Sequence, residues 1–336
     1  MNKYSSNLEI NSDARRIDTH HHFVPAFYRE WLWNKGITSA GGRLIPEWSP
    51  EHALAFMDAT GVETAILSLS TPGVEPGIGP GPFYDGLSEG RTMARRVNEY
   101  GAELVSNYPE RFGFFATLTL PDIDGALDEL AYALDVLGAD GVVLLANVRG
   151  IYLGDPAFDE LMAELDRRSS VVFVHPSQLP VPPVPGVAPY VADFLLDTTR
   201  AAIKLVQSGT MDRHQRLKMI LSHAGGFVPY AAGRIAGHIV DPDDLNAGRD
   251  PLRYFYFDTA LSSTRFALPS LMAFAAPGRV IYGSDYPYAA PQRSAWFTAE
   301  LDKYDSISHS QVNRENALAL FPRIAAFHAD TYTGVK

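Results

Sequence analysis

The sequence predicts an α/β fold, a parallel (β/α)8 TIM barrel, and three observations carry that expectation. Short apolar, β-branched runs recur eight times between Ile17 and Asp285. Helical patterns lie between most of them, which is how a parallel sheet reads in sequence. Runs such as Val171-Val172-Phe173-Val174 are apolar at every position, so they suit burial on both faces. At 336 residues the chain is long enough to close such a barrel. An open doubly wound sheet is the competing architecture. Against it, no Gly-rich phosphate loop follows the first strand.

The first run is Ile17-Asp18-Thr19-His20-His21-His22-Phe23-Val24, ended by Pro25. Side chains alternate along a strand, so His20 and His22 share a face and His21 points away. A helix is expected over residues 51–60, with Ser49 as N-cap, Pro50 at the first helical position and Gly61 as terminator. The second strand is expected at 64–70. The third, at 111–118, follows a helix near 90–107. The fourth, Gly141–Leu145, follows a helix near 123–137. The fifth, Val171–His175, follows a helix over 159–168. The sixth, seventh and eighth fall at 217–223, 254–258 and 279–285, and a helical pattern near 308–320 closes the chain. Two stretches stand outside this alternation. Residues 71–89 are rich in Gly and Pro, and residues 177–189 are rich in Pro. Each follows a strand, on the face where barrel active sites lie, so each is expected to be a pocket wall or lid; a plain surface loop is the alternative. One barrel domain is expected, with its core at about 15–325 and a tail over 1–14.

Composition narrows the function. Hydrophobic residues make up 46% and charged residues 20%, which is ordinary for a globular chain with a large core. The net charge is −11 and no Lys/Arg-rich run occurs, so nucleic acid is not an expected partner. There is no cysteine, which excludes disulfides, a thiol nucleophile and Cys-ligated metal. No apolar run is long enough to span a bilayer, and residues 1–16 lack an apolar signal core, so a soluble cytoplasmic protein is expected.

A barrel makes a sharp demand on any metal site: its ligands should lie at the C-terminal ends of strands. His20 and His22 end the first strand, His175 the fifth, His223 the sixth and Asp285 the eighth. Each alone is an ordinary strand-end residue, but together they point to one spot above the barrel. His52, His214, His238, His309 and His328 fall on helices or connections and read as surface or packing residues.

This arrangement resembles the amidohydrolase superfamily. It is most similar to the branch of 2-amino-3-carboxymuconate-6-semialdehyde decarboxylase and the 6-methylsalicylate and hydroxybenzoate decarboxylases. The matching segments are Ile17-Asp18-Thr19-His20-His21-His22, Phe173-Val174-His175-Pro176, Ser222-His223-Ala224-Gly225-Gly226 and Tyr282-Gly283-Ser284-Asp285-Tyr286-Pro287, with Asn316-Ala317 near the end. The resemblance implies His20, His22, His175 and Asp285 as metal ligands, with His223 beside them as a catalytic residue. It also implies a homo-oligomer, a dimer or tetramer. Binuclear members of the superfamily bridge two metals with a lysine at the end of strand four. Here no lysine occurs between Lys35 and Lys204, so one divalent metal is expected, Zn²⁺ first, with Mn²⁺ or Mg²⁺ as alternatives.

Two reactions fit such a site. One is non-oxidative decarboxylation of a small aromatic acid of the ortho-hydroxybenzoate or salicylate type, with Asp285 as proton donor and His223 holding substrate oxygens or shuttling the proton. The other is hydrolysis of a lactone, ester or amide by a metal-bound water. The segments Asp197-Thr198-Thr199-Arg200, Phe257-Asp258-Thr259-Ala260 and Thr71-Pro72-Gly73-Val74 resemble the salicylate-type decarboxylases and favour the first. Arg43 is a candidate carboxylate clamp and Phe23 a candidate wall for an aromatic ring.

Overall fold

The computed structural model describes residues 8–74, 87–239 and 249–332. Eight strands run parallel in chain order: β1 (Arg16–His22), β2 (Val62–Ser68), β3 (Phe112–Thr117), β4 (Gly141–Leu145), β5 (Val171–His175), β6 (Lys218–Leu221), β7 (Tyr256–Asp258) and β8 (Val280–Ile281). The chain beyond β8 returns to β1. Thr19 N donates to Tyr282 O at 3.0 Å, Asp285 N to His20 O at 2.8 Å and His22 N to Tyr286 O at 2.7 Å. These bonds close the sheet into a (β/α)8 barrel and remove the open doubly wound alternative.

The expected strands all occur, and the last three are shorter than the apolar pattern suggests. β6 ends at Leu221 because His223 and Ala224 enter the left-handed region, at φ 52° and 56°. β8 ends at Ile281, before the left-handed Asp285 at φ 59°. Helix Pro50–Thr60 starts where expected. Ser49 Oγ accepts from His52 N at 3.3 Å, and Gly61 ends it at φ 65°, where a Cβ would lie 2.6 Å from Asn11 O. Helices Leu87–Asn107, Ile123–Asp135 and Asp159–Arg167 fill the next gaps. Helices Pro189–Gln207 and Val228–Ile239 cover β6 from either side in sequence. The closing pattern is divided into a π-helical turn, Gln311–Glu315, and a short helix, Asn316–Leu318; a further helix, Pro322–Tyr332, follows beyond it. Among the described residues no helix is long and apolar enough to cross a membrane.

Ile17, Ile66, Phe115, Val143, Phe173, Ile220 and Ile281 fill the barrel, and Leu320, Phe321 and Ile324 plug its lower end. Aromatic rings form a column up the axis. Phe321 meets Phe115 at 5.9 Å, Phe115 stacks on Phe173 at 5.5 Å, and the edge of His20 meets Phe173 at 4.9 Å. Phe173 is therefore the floor on which the histidines stand.

A β-bulge in β1 decides which side chains reach that floor. Asp18 pairs with Ala65 and His21 with Leu67, so three steps on β1 match two on β2. Strict alternation from the interior Ile17 would send His21 inward. The extra residue reverses the phase, so His20 faces the axis while Asp18 and His21 share the outer face and hydrogen-bond at 2.9 Å.

Candidate metal centre

His20, His22, His175 and Asp285 are all buried, and one donor atom from each lies within 4.8 Å of the others. His20 Nε2 and His22 Nε2 are 3.1 Å apart, and Asp285 Oδ1 is 3.4 Å from each. The other nitrogen of each ring identifies its tautomer. His20 Nδ1 donates to Asp258 Oδ2 at 2.8 Å, His22 Nδ1 to Ser68 O at 3.2 Å, and His175 Nδ1 to Pro176 O at 2.8 Å. Carboxylates and carbonyls only accept, so Nδ1 carries the proton and each neutral ring turns its Nε2 lone pair inward. Three lone pairs and a carboxylate facing one another, all out of water, repel unless a positive charge sits among them. The donor set fits one divalent cation with four protein ligands.

The site works against protons on two of its rings. Burial, then the charges of neighbouring histidines, hold His175 well below the usual imidazole value. Burial also lowers His22, against the pull of Asp285. Burial alone would raise Asp285, but His20, His22 and His223 outweigh it and hold the carboxyl well below the usual range. His20 behaves oppositely: burial lowers it, yet Asp258 and then Asp285 push it up to about 10. Without a metal, one proton on His20 supplies the positive charge that the carboxylates demand.

Asp258 was missed as a site residue by the strand-end reading, although it ends β7 as the ligands end their own strands. Fully buried, it accepts from His20 Nδ1 through Oδ2, and from His223 N and Ala260 N through Oδ1, both at 2.9 Å. It orients a ligand ring and holds the left-handed backbone of His223. Asp18 does the same for the seam. Its Oδ1 accepts from His20 N at 3.1 Å and Ser284 N at 3.0 Å. Gly283 lies between, where a Cβ would approach His20 Cβ to 2.8 Å.

His223 lines a narrow cavity together with Arg43, His175, Tyr190, Asp285 and Tyr288. Its Nε2 is 3.8 Å from Asp285 Oδ2, and its Nδ1 is buried with no hydrogen-bond partner among the described residues. Arg43, on the hairpin of Ser39–Ala40 and Arg43–Leu44, reaches the cavity. Its Nη1 donates to Tyr288 O at 3.0 Å and its guanidinium lies 4.0 Å from the centre of the Tyr190 ring. Phe23 does not reach it. One step beyond His22 its side chain turns outward into the helix layer, fully buried against Trp48 and Tyr100, so the ring-wall assignment is corrected.

The Asp197-Thr198-Thr199-Arg200 segment lies on helix Pro189–Gln207 and pins loops. Asp197 accepts from Asn147 Nδ2 and Ser177 N, each at 2.8 Å, and Thr199 Oγ1 accepts from Phe227 N at 2.8 Å. Asn147, just past β4, is thereby occupied in tying down residues 177–178, to which it also donates through Gln178 O. Of the Gly/Pro-rich stretch, Thr71–Val74 line a hollow in the barrel mouth, while 75–86 lie outside the described residues. His328, expected as surface or packing, is buried at the lower end beside Thr64.

Residues 17–323 match the amidohydrolase family, and the chain belongs to it. It is 37% identical to the decarboxylase macB of Penicillium terrestre over 92% of this chain and 95% of that one. It is 37% identical to the 6-methylsalicylic acid decarboxylase of Penicillium expansum, over 92% of this chain and 97% of that one. A crystal structure of an amidohydrolase II superposes with a TM-score of 0.83 at 30% identity, covering 91% of this chain and 99% of the other.

Proposed function

We propose that this amidohydrolase-family chain is a carbon–carbon lyase that removes CO2, without an oxidant, from a small ortho-hydroxybenzoic acid. The carrying observation is the inward-facing set of three Nε2 atoms and one carboxylate, in a chain similar along nearly its whole length to decarboxylases. One barrel domain holds the whole site, since the ligands come from β1, β5 and the turn after β8. Zn²⁺ is the first candidate for the ion because three imidazoles and one carboxylate suit it. We expect a dimer or tetramer.

His20, His22, His175 and Asp285 would hold the ion, which when bound supplies Lewis acidity to a carboxylate oxygen and the neighbouring phenol oxygen of the substrate. Asp285 Oδ2 faces the cavity side of the cluster, toward His223. Its carboxylate takes the proton of the ortho-hydroxyl and delivers it to the ring carbon that bears the carboxylate. Aromaticity is lost at that step. The bond to the carboxylate then breaks, its electron pair restores the ring, CO2 leaves, and the phenolate product takes a proton from solvent. His223, whose Nε2 stands beside Asp285, hydrogen-bonds a substrate oxygen. Arg43 matches a carboxylate with two parallel N–H donors.

The test is a panel of hydroxybenzoic acids run against a panel of lactones and esters, on protein loaded with Zn²⁺ or Mn²⁺. CO2 release from an ortho-hydroxybenzoic acid is expected. In D2O, deuterium should appear at the carbon that lost the carboxylate. Asp285→Asn should be inactive even with its metal restored, because an amide cannot cycle a proton. Metal-dependent hydrolysis with no CO2 from any aromatic acid would overturn the assignment.

A further inference from the structure

The three ligand rings are steadied at Nδ1 by acceptors of different kinds. Asp258 touches His20 directly through its carboxylate. His22 and His175 donate instead to backbone carbonyls, Ser68 O at 3.2 Å and Pro176 O at 2.8 Å. The Pro176 carbonyl has a carboxylate behind it. Pro176 C=O and Ser177 N–H belong to one peptide unit, which is trans, so the two groups point in opposite directions. Ser177 N donates to Asp197 Oδ2 at 2.8 Å. A carboxylate, a planar peptide and an imidazole therefore form one hydrogen-bonded chain, from Asp197 through Ser177 N–H and Pro176 C=O to His175 Nδ1, with His175 Nε2 facing the cluster beyond.

Asp197 is placed to act along this chain. It is fully buried on helix Pro189–Gln207, and its second oxygen accepts from Asn147 Nδ2 at 2.8 Å, so the carboxylate is fixed at both ends. Out of water its charge draws on the Ser177 N–H at full strength. Amide resonance passes that pull to the carbonyl oxygen, and hydrogen bonds linked in this way strengthen one another by roughly 10–30% per bond. A carbonyl made more negative holds the Nδ1–H of His175 more firmly.

We propose that Asp197 is a positioning residue for the metal ligand His175, acting through the Pro176–Ser177 peptide as Asp258 acts on His20 by contact. It keeps the proton on Nδ1, fixes the plane of the ring and strengthens Nε2 as a donor. The proposal rests on the reading of His20, His22, His175 and Asp285 as a metal centre. An Asp197 that only anchored its loop would be matched by Asn147, which ties the same loop through Gln178 O at 3.1 Å.

Zn²⁺ affinity should be measured by chelator competition on wild type, Asp197→Asn and Asn147→Ala. Asp197→Asn should weaken binding about tenfold, the lower end of what partners of metal-bound histidines contribute, and Asn147→Ala should stay within about twofold. The second readout is proton NMR of the Co²⁺-loaded protein, where the Nδ1–H of each bound imidazole gives a solvent-exchangeable, paramagnetically shifted signal. Three such signals are expected, one each from His20, His22 and His175. Asp258→Asn should move one, Asp197→Asn a different one, and neither should move the remaining signal. If Asp197→Asn does not fold, Ser177→Pro, which deletes the same N–H in a proline-rich stretch, should weaken binding about tenfold and move a signal other than that of Asp258→Asn. The proposal is overturned if Asp197→Asn binds Zn²⁺ as the wild type does, if Asn147→Ala matches its loss, or if the signals move together. Three signals indifferent to Asp197 overturn the proposal alone. A wild type that retains no metal overturns the metal-centre reading, and the proposal with it.

Discussion

The two ends of the barrel both bury histidine among carboxylates, one ring at the lower end and several at the upper, yet they balance charge differently. At the lower end every such carboxylate has a guanidinium. Glu63 pairs with Arg15 and with Arg314 at 3.0 Å, Asp140 with Arg323 at 2.7 Å, and Asp302 with Arg16, while His328 stands 3.6 Å from Glu63. At the upper end the ionisable partners of Asp18, Asp258 and Asp285 are imidazoles, and their remaining partners are backbone amides. Among the described residues no Lys or Arg is ion-paired with any of them. A permanent side-chain cation makes the lower cluster complete. The upper cluster has no permanent side-chain cation to offset its carboxylates, which is the electrostatic content of a metal site.

The strongest way to break this contrast is a pair of substitutions, one at each end. His175→Ala should abolish both metal retention and activity while circular dichroism still reports a folded barrel. Glu63→Gln should do the opposite, lowering stability by about 1–2 kcal/mol with metal content unchanged. Elemental analysis after dialysis reads both. Full metal occupancy in His175→Ala would mean that the upper cluster does not need its fourth donor.

A smaller effect is expected at His223, which belongs to the upper end but stands 3.8 Å from Asp285. His223→Ala should keep its metal and lose about 10²- to 10⁴-fold in turnover. Complete loss of metal would make His223 a ligand rather than a substrate-handling group.

The smallest effect sharpens the comparison in protons. In the metal-free protein His20 is raised from 6.5 to about 10. A raised imidazole contributes stability that is complete below its unfolded value and is lost as pH climbs through the folded one. The metal-free protein should therefore lose stability between about pH 6.5 and pH 10, and the metal-loaded protein should not. Near pH 8, metal binding should release about one proton, seen as a dependence of calorimetric heat on buffer ionisation enthalpy. Uptake of a proton, or identical pH profiles of melting temperature with and without metal, would contradict this charge accounting.

Much of this protein was legible in its sequence because the relevant signals are local. Eight apolar runs marked eight strands, and each ligand lies among the last few residues of a strand or shortly beyond one. Ser49, Pro50 and Gly61 bounded their helix because capping depends on residues three or four apart. That His20 and His22 share one face was also local, since it follows from a spacing of two.

What the tertiary structure decided depended on partners far apart in the chain. The bulge in β1 exists only in its pairing with β2, and it separates His20 from the outward Asp18 and His21. Asp258 reads as one more strand-end acid until it is seen holding His20, distant by 238 residues, and the backbone of His223. Phe23 sits beside the ligands in sequence and turns away from them in space, because consecutive strand residues face opposite sides of the sheet. The division of the closing helix at Gln311–Glu315 and the hollow in the barrel mouth arise from how separate elements meet. Residue identity at a strand end is written locally, whereas strand phase, ring tautomer and cavity shape are properties of neighbours that only folding brings together.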